Sequence, residues 1–161
     1  YATEKTYYYE YTTGGKTGYT EKAKRTLVTT ATKDNVNLTV VTLNNGNDFL
    51  EHQKLYEEAF DEYKKYNILE KGYIEIINEK YYSNVKYYIE DSFSYILNDV
   101  EKDNIVLKFE LQKIYGYKTG DKIGVVRVIF EDKEIFKTDV FVEIKKKKID
   151  VWKKILEWLG A

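Results

Sequence analysis

No cysteine occurs among the 161 residues, so neither a disulfide framework nor a thiolate metal site is available. The one histidine, His52, excludes a His-based triad or a multi-histidine zinc centre for this chain acting alone. Proline is absent too, although average usage of about 5% would give roughly eight residues. Methionine is missing even at position 1. The chain is therefore expected to be processed, excised or part of a longer polypeptide, and the lack of a signal peptide carries no information. Neither sign of charge prevails: 26 basic against 27 acidic residues leave a net −1, which gives no argument for nucleic acid as a partner. No motif calls for a metal or other cofactor.

What the chain does have is tyrosine. Its 17 tyrosines offer wide packing surfaces whose hydroxyls still reach water, which suits half-buried strands. The length allows one or two small domains. The stretch that organises the rest is Gly14-Gly15-Lys16-Thr17-Gly18-Tyr19-Thr20. Paired glycines bare the main chain so that a ligand can lie against it. Lys16 adds a compact positive charge, Thr17 a hydroxyl, and Gly18 leaves both unobstructed. The combination suits an extended substrate that ends in a carboxylate. Lys-Thr-Gly recurs at Lys118-Thr119-Gly120, where Gly120-Asp121 reads as the turn of a hairpin between two alternating strands.

Along the chain, Tyr1 to Tyr11 is rich in Thr and Tyr and is expected to be extended. Thr26 to Thr32 and Val36 to Leu43 read as strands joined at Lys33-Asp34-Asn35, a hairpin beside the Lys16 strand in an antiparallel sheet. Leu38, Val40 and Thr42 fall on one face, Val41 and Leu43 on the other. After Asn44-Asn45-Gly46, Asn47 or Asp48 can cap a helix. Phe49, His52, Leu55, Tyr56, Ala59, Phe60 and Tyr63 form an apolar stripe that should cover the sheet.

Asn67 to Gly72 reads as a domain boundary. Beyond it, Tyr73–Ile77, Val85–Ile89, Phe93–Leu97, Ile105–Leu111, Ile123–Phe130 and Ile135–Ile144 predict six strands of a small all-β sandwich. Ser83-Asn84-Val85-Lys86 matches Ser-x-x-Lys only formally. On a strand, side chains three apart point to opposite faces, whereas catalysis needs the Lys beside the Ser hydroxyl. The tail places Lys145 to Lys148 before an 11-residue amphipathic segment, Ile149 to Leu159. Trp152, Ile155, Leu156, Trp158 and Leu159 belong to its apolar face. It is too short to span a bilayer, but two tryptophans beside a lysine cluster suit the lipid interface.

The stretch GGKTGYTEKAKRTLVTTATKDNVNLTVVTLNNGNDF and the following EHQKLYEEAFDEY resemble the end of the catalytic domain of serine-type D-alanyl-D-alanine carboxypeptidases, the low-molecular-mass penicillin-binding proteins. Residues beyond Asn67 look like that family's C-terminal β-domain and terminal membrane helix. The resemblance implies an α+β chain in three parts. Residues 1–67 would be the C-terminal portion of the penicillin-binding, transpeptidase-like catalytic domain, an antiparallel sheet with a covering helix. Residues 68–146 would be the sandwich and 147–161 the amphipathic membrane-associating helix.

It further implies trimming of peptidoglycan stem peptides by serine acyl transfer, on the outer face of the bacterial cytoplasmic membrane. Stem peptides and β-lactams would be the ligands. Lys16, Thr17 and Gly18 would take the family's role of holding the substrate's terminal carboxylate. The family's nucleophilic Ser, its base Lys and its Ser-x-Asn element precede Lys-Thr-Gly, and only 15 residues do so here. The chain is thus expected to supply one wall of a site, to be inactive alone, and to need an N-terminal half on a separate or missing segment. The alternatives are a non-catalytic cell-wall or membrane-associated binding module and an unrelated structural β-domain whose helical tail pairs with a protein.

Overall fold

Asp34 and Asn35 adopt left-handed backbone, φ 50° and 63°, which makes the two-residue turn that joins adjacent strands with the right twist. That turn is one of many in a sheet-rich chain. The computed structural model describes residues 7–145. In chain order these form β1 (Thr12–Thr20), β2 (Lys24–Lys33), β3 (Val36–Leu43), α1 (Asp48–Glu62), β4 (Lys64–Leu69), β5 (Gly72–Ile74), β6 (Val85–Ile89), β7 (Phe93–Leu97), α2 (Asp99–Asp103), β8 (Val106–Leu111), β9 (Lys122–Phe130) and β10 (Lys133–Ile144). The C-terminal segment with Trp152, Ile155, Leu156, Trp158 and Leu159 lies outside the described residues.

Two compact units result. The first holds the described residues up to Leu69 together with Phe93–Ile105. Its main sheet is antiparallel in the order β1-β2-β3. Along β2 the buried residues alternate as Leu27, Thr29 and Ala31, so one face is turned inward. Asp48, His52, Tyr56 and Phe60 recur every fourth position on α1 and are its buried residues. Tyr56 and Phe60 close a core with Ala31 and Val36, with Tyr9 and Tyr11 packed beside them. Leu55, expected on the same stripe, is 36% exposed, because the fourfold row passes through Tyr56 instead. At the helix start Asn47 occupies the cap position without a side-chain bond, while Asp48 Oδ1 accepts from the Phe49 N–H at 2.9 Å.

Tyr7 to Tyr11 form no strand. A turn bond from the Thr12 N–H to the Tyr9 carbonyl bends this segment, and its rings pack on α1: Tyr9 stacks on Tyr56 at 5.6 Å. The unit's second sheet pairs β4 with β7, Tyr66 opposite Tyr95. Phe93–Leu97 was expected within the second domain; its hydrogen bonds go to β4 in the first unit. The polar stretch after it makes the one-turn helix α2. Asn98 accepts from the Glu101 N–H and Glu101 reaches back to the Asn98 N–H, a complete capping box.

The second unit comprises Glu70–Ser92 and the described residues from Val106 onward. The sandwich expected here is a single five-stranded antiparallel sheet, ordered β5-β6-β10-β9-β8. Val126 and Val128 on β9 and Val140 and Val142 on β10 are wholly buried on one face, beside Ile89 on β6. Each such side chain contributes about 1.5–3 kcal/mol by leaving water. Tyr82 ties a loop to this unit by donating to the Gln112 carbonyl and accepting from the Ile114 N–H. Its ring meets those of Tyr81 and Tyr117 edge-on, both at 4.9 Å.

Candidate functional site

Among the described residues β1 is an edge strand, hydrogen-bonded to β2 alone, and all nine of its residues are exposed. Register explains how it is built. Gly15 lies opposite Thr29, Lys16 opposite Val28, Thr17 opposite Leu27 and Gly18 opposite Thr26. Since side chains alternate, Thr17 shares the α1-facing side with Leu27 and Thr29, while Lys16 and Gly18 take the opposite side. Gly15 must be bare: a Cβ there would meet the Val28 carbonyl and the Thr29 methyl at 2.8 Å each. The glycine therefore lets the Lys16 strand close on β2.

A cavity of about 620 Å³ opens beside this strand within the first unit. Gly14 and Gly15 border it with their main chain, as do Lys16 and Thr17, but the Lys16 side chain belongs to the opposite face of the sheet from His52 and Tyr56, which line the cavity too. Gly18 is outside the lining. Tyr7 and Phe49, whose rings tilt together at 5.4 Å, form an aromatic wall. The Lys16 ammonium folds back on its own strand and donates to the Thr17 carbonyl at 2.7 Å. Both groups are solvent-accessible, so an incoming carboxylate can replace that carbonyl as acceptor and gain a charge-assisted bond.

The cavity floor holds a network that sequence reasoning did not find. Thr29 Oγ1 bonds His52 Nδ1 at 2.7 Å and the Tyr56 hydroxyl at 2.8 Å. The other ring nitrogen of His52 meets Thr42 Oγ1 at 3.0 Å. His52 was read as a helix-face residue; it is one, on the buried face, only 2% exposed. Burial lowers its pKa against the opposing pull of Asp48 and Glu51, so a neutral imidazole is favoured. Burial likewise raises the pKa of Tyr56. The sequence signal is partial: Thr42 shares a strand face with the apolar Leu38 and Val40, that face is turned inward, and an inward hydroxyl requires a partner. At the start of α1, Arg25 Nε donates to Asp48 Oδ2 at 2.6 Å and holds the helix to β2.

Lys118-Thr119-Gly120 is the turn expected between β8 and β9. Gly120 has φ 94°, Asp121 Oδ2 accepts from the Lys118 N–H, and Thr119 Oγ1 accepts from the Ile144 N–H. Lys86, of the formal Ser-x-x-Lys match, rests its ammonium 4.3 Å over the Tyr73 ring.

Residues 2–47, which include β1, β2 and β3, match the family model described as D-alanyl-D-alanine carboxypeptidase. The chain resembles the C-terminal part of such an enzyme. Among solved structures it is similar to the D-alanyl-D-alanine carboxypeptidase DacD from Francisella tularensis, with 20% identity and a TM-score of 0.50. That alignment covers 83% of this chain and 37% of the other, and it shows the fold. Penicillin binding protein 5 from Haemophilus influenzae aligns at 24% identity and a TM-score of 0.45, over 81% of this chain and 41% of that one. The chain thus spans well under half the length of these structures. No curated protein matches it.

Proposed function

We propose that this chain is part of a D-Ala-D-Ala carboxypeptidase acting on peptidoglycan stem peptides, and that it supplies the Lys-Thr-Gly wall without the nucleophile. The observation that carries this reading is an exposed edge strand that sets the Lys16 side chain on the face away from α1, next to the bare main chain of Gly14 and Gly15. A strand margin that no other described strand pairs with offers main-chain donors and acceptors to an extended peptide, and Lys16 offers a cation to its terminal carboxylate. The serine, its base lysine and the acyl-enzyme would come from an N-terminal half. β-Lactams, which carry a carboxylate at the corresponding place, would dock on the same wall.

Reassembled with such a half, Lys16→Ala is expected to lower kcat/KM roughly ten- to hundredfold, the worth of one charge-assisted hydrogen bond. The variant should fold normally because Lys16 is exposed. A fluorescent penicillin should label the reassembled enzyme and leave this polypeptide alone unlabelled. Equal activity of the variant and its parent, or a labelled band on the lone chain, overturns the assignment.

The full exposure of β1 also favours a second reading, a non-catalytic cell-wall-binding module that retains the wall and never assembles a nucleophile. In both readings the segment from Ile149 onward would hold the protein to the outer face of the cytoplasmic membrane. Removing residues 149–161 should abolish co-sedimentation with anionic vesicles. Undiminished co-sedimentation would sink the anchor.

A further inference from the structure

The exposed face of the five-stranded sheet has two halves of different chemistry. On the β8–β9 side its charges are paired: Arg127 with Glu110 and Glu134, and Lys108 with Glu110 at 3.2 Å. Towards the other edge, three adjacent strands bring aromatic rings into one row. Tyr73 on β5 is directly opposite Tyr88 on β6, and Tyr88 is opposite Phe141 on β10. Tyr88 and Phe141 stack at 5.4 Å and 21°, while Tyr73 stands edge-on to Tyr88 at 6.4 Å. Tyr73 remains 59% exposed.

This row borders a groove of about 250 Å³ lined by Lys71, Tyr73, Tyr88, Glu90 and Glu143 among others. The Tyr73 hydroxyl donates to Glu143, and Lys86 covers part of the Tyr73 ring, so the platform is fixed in place. The charged groups around it, Lys71 and Lys86 against Glu90 and Glu143, cancel. An anion would face two carboxylates, and an alkyl chain would strip water from both without replacing it. Nor does the edge suit an added peptide strand: β5 has only three residues to pair with. A flat, neutral, polyhydroxylated ring meets every requirement. Its C–H face can lie on the aromatic rings while its hydroxyls donate to the carboxylates and accept from Lys71.

We propose that Tyr73, Tyr88 and the groove beside them form a binding site for a pyranoside glycan, separate from the Lys16 wall. The test is titration of the full chain with two peptide-free oligosaccharides, the β-1,4-linked tetramers of N-acetylglucosamine and of glucose, followed by NMR. At least one sugar should shift the ring resonances of Tyr73 and Tyr88 saturably. Tyr73→Ala should weaken that binding at least tenfold while its backbone spectrum shows an intact sheet. Lys108→Ala, on the ion-paired half, should leave it unchanged. Neither sugar carries a carboxylate, so Lys16→Ala should also have no effect, and failure here is distinct from failure of the carboxypeptidase reading. Absence of shifts with both sugars, or equal binding by Tyr73→Ala, overturns the site and points to a protein on this face instead.

Discussion

Tyr56→Ala should destabilise the first unit by about 3–5 kcal/mol, the range for deleting a large buried ring. Tyr56 is 1% exposed and stacks between Tyr9 at 5.6 Å and Phe60 at 6.0 Å. Truncation empties the middle of the row that fixes α1 to β2 and β3, and it frees the Tyr7–Tyr11 segment that forms one side of the cavity. Tyr56→Phe isolates the hydroxyl. It keeps the ring and removes one hydrogen bond to Thr29, which retains His52 as a partner, so the cost should be near 1 kcal/mol. Urea unfolding of the two variants measures both numbers. An Ala variant within about 1 kcal/mol of the Phe variant would show that the helix is held by something other than this ring.

That helix illustrates which features the sequence discloses. At several places where the signal is local, element and boundary agree closely, although β5 ends at Ile74, three residues short of the strand expected to Ile77. Asp34-Asn35 marks the β2–β3 turn, the alternation of Leu38, Val40 and Thr42 marks the inward face, and Val85–Ile89 is a strand as read. Pairing between distant segments is a different matter. Nothing in Lys64–Leu69 or Phe93–Leu97 states that the two bond to each other, because cross-strand partners are chosen by the whole fold. The same holds for β10 lying between β6 and β9. The α2 capping box is written in the sequence as Asn98-x-x-Glu101, yet five residues are too few for a periodic pattern to mark a helix.

The site divides along the same line. Lys16 and Thr17 could be named from residue type and spacing, and strand alternation puts them on opposite faces, but which of the two shares the α1-facing side follows only from the register of β1 with β2. The His52 network was hidden by composition. One histidine on an amphipathic helix carries no mark of its partners, and both partners are threonines that the strand pattern alone explains.

Gly124→Ala should cost the second unit about 3 kcal/mol or more, out of proportion to the one methyl group added. The reason is the closeness of two backbones. Gly124 pairs with Leu111 where β8 ends, and a Cβ built there would stand 2.2 Å from the Glu110 carbonyl oxygen and 2.9 Å from the Leu111 Cα. Neither obstacle is a side chain that can turn aside. Relief requires β8 to move away from β9, which breaks ladder hydrogen bonds and disturbs Ile123 and Val126, both wholly buried nearby. Gly46 supplies the control, since a Cβ at that position meets nothing within 4 Å and Gly46→Ala should change stability by no more than about 0.5 kcal/mol. Because the two units are separate clusters, NMR should show the second unit's strand resonances lost first in Gly124→Ala while those of β2 and α1 persist. A Gly124→Ala chain with parental stability would mean that β8 is free to shift, and that the outer strand of this sheet contributes little to holding it.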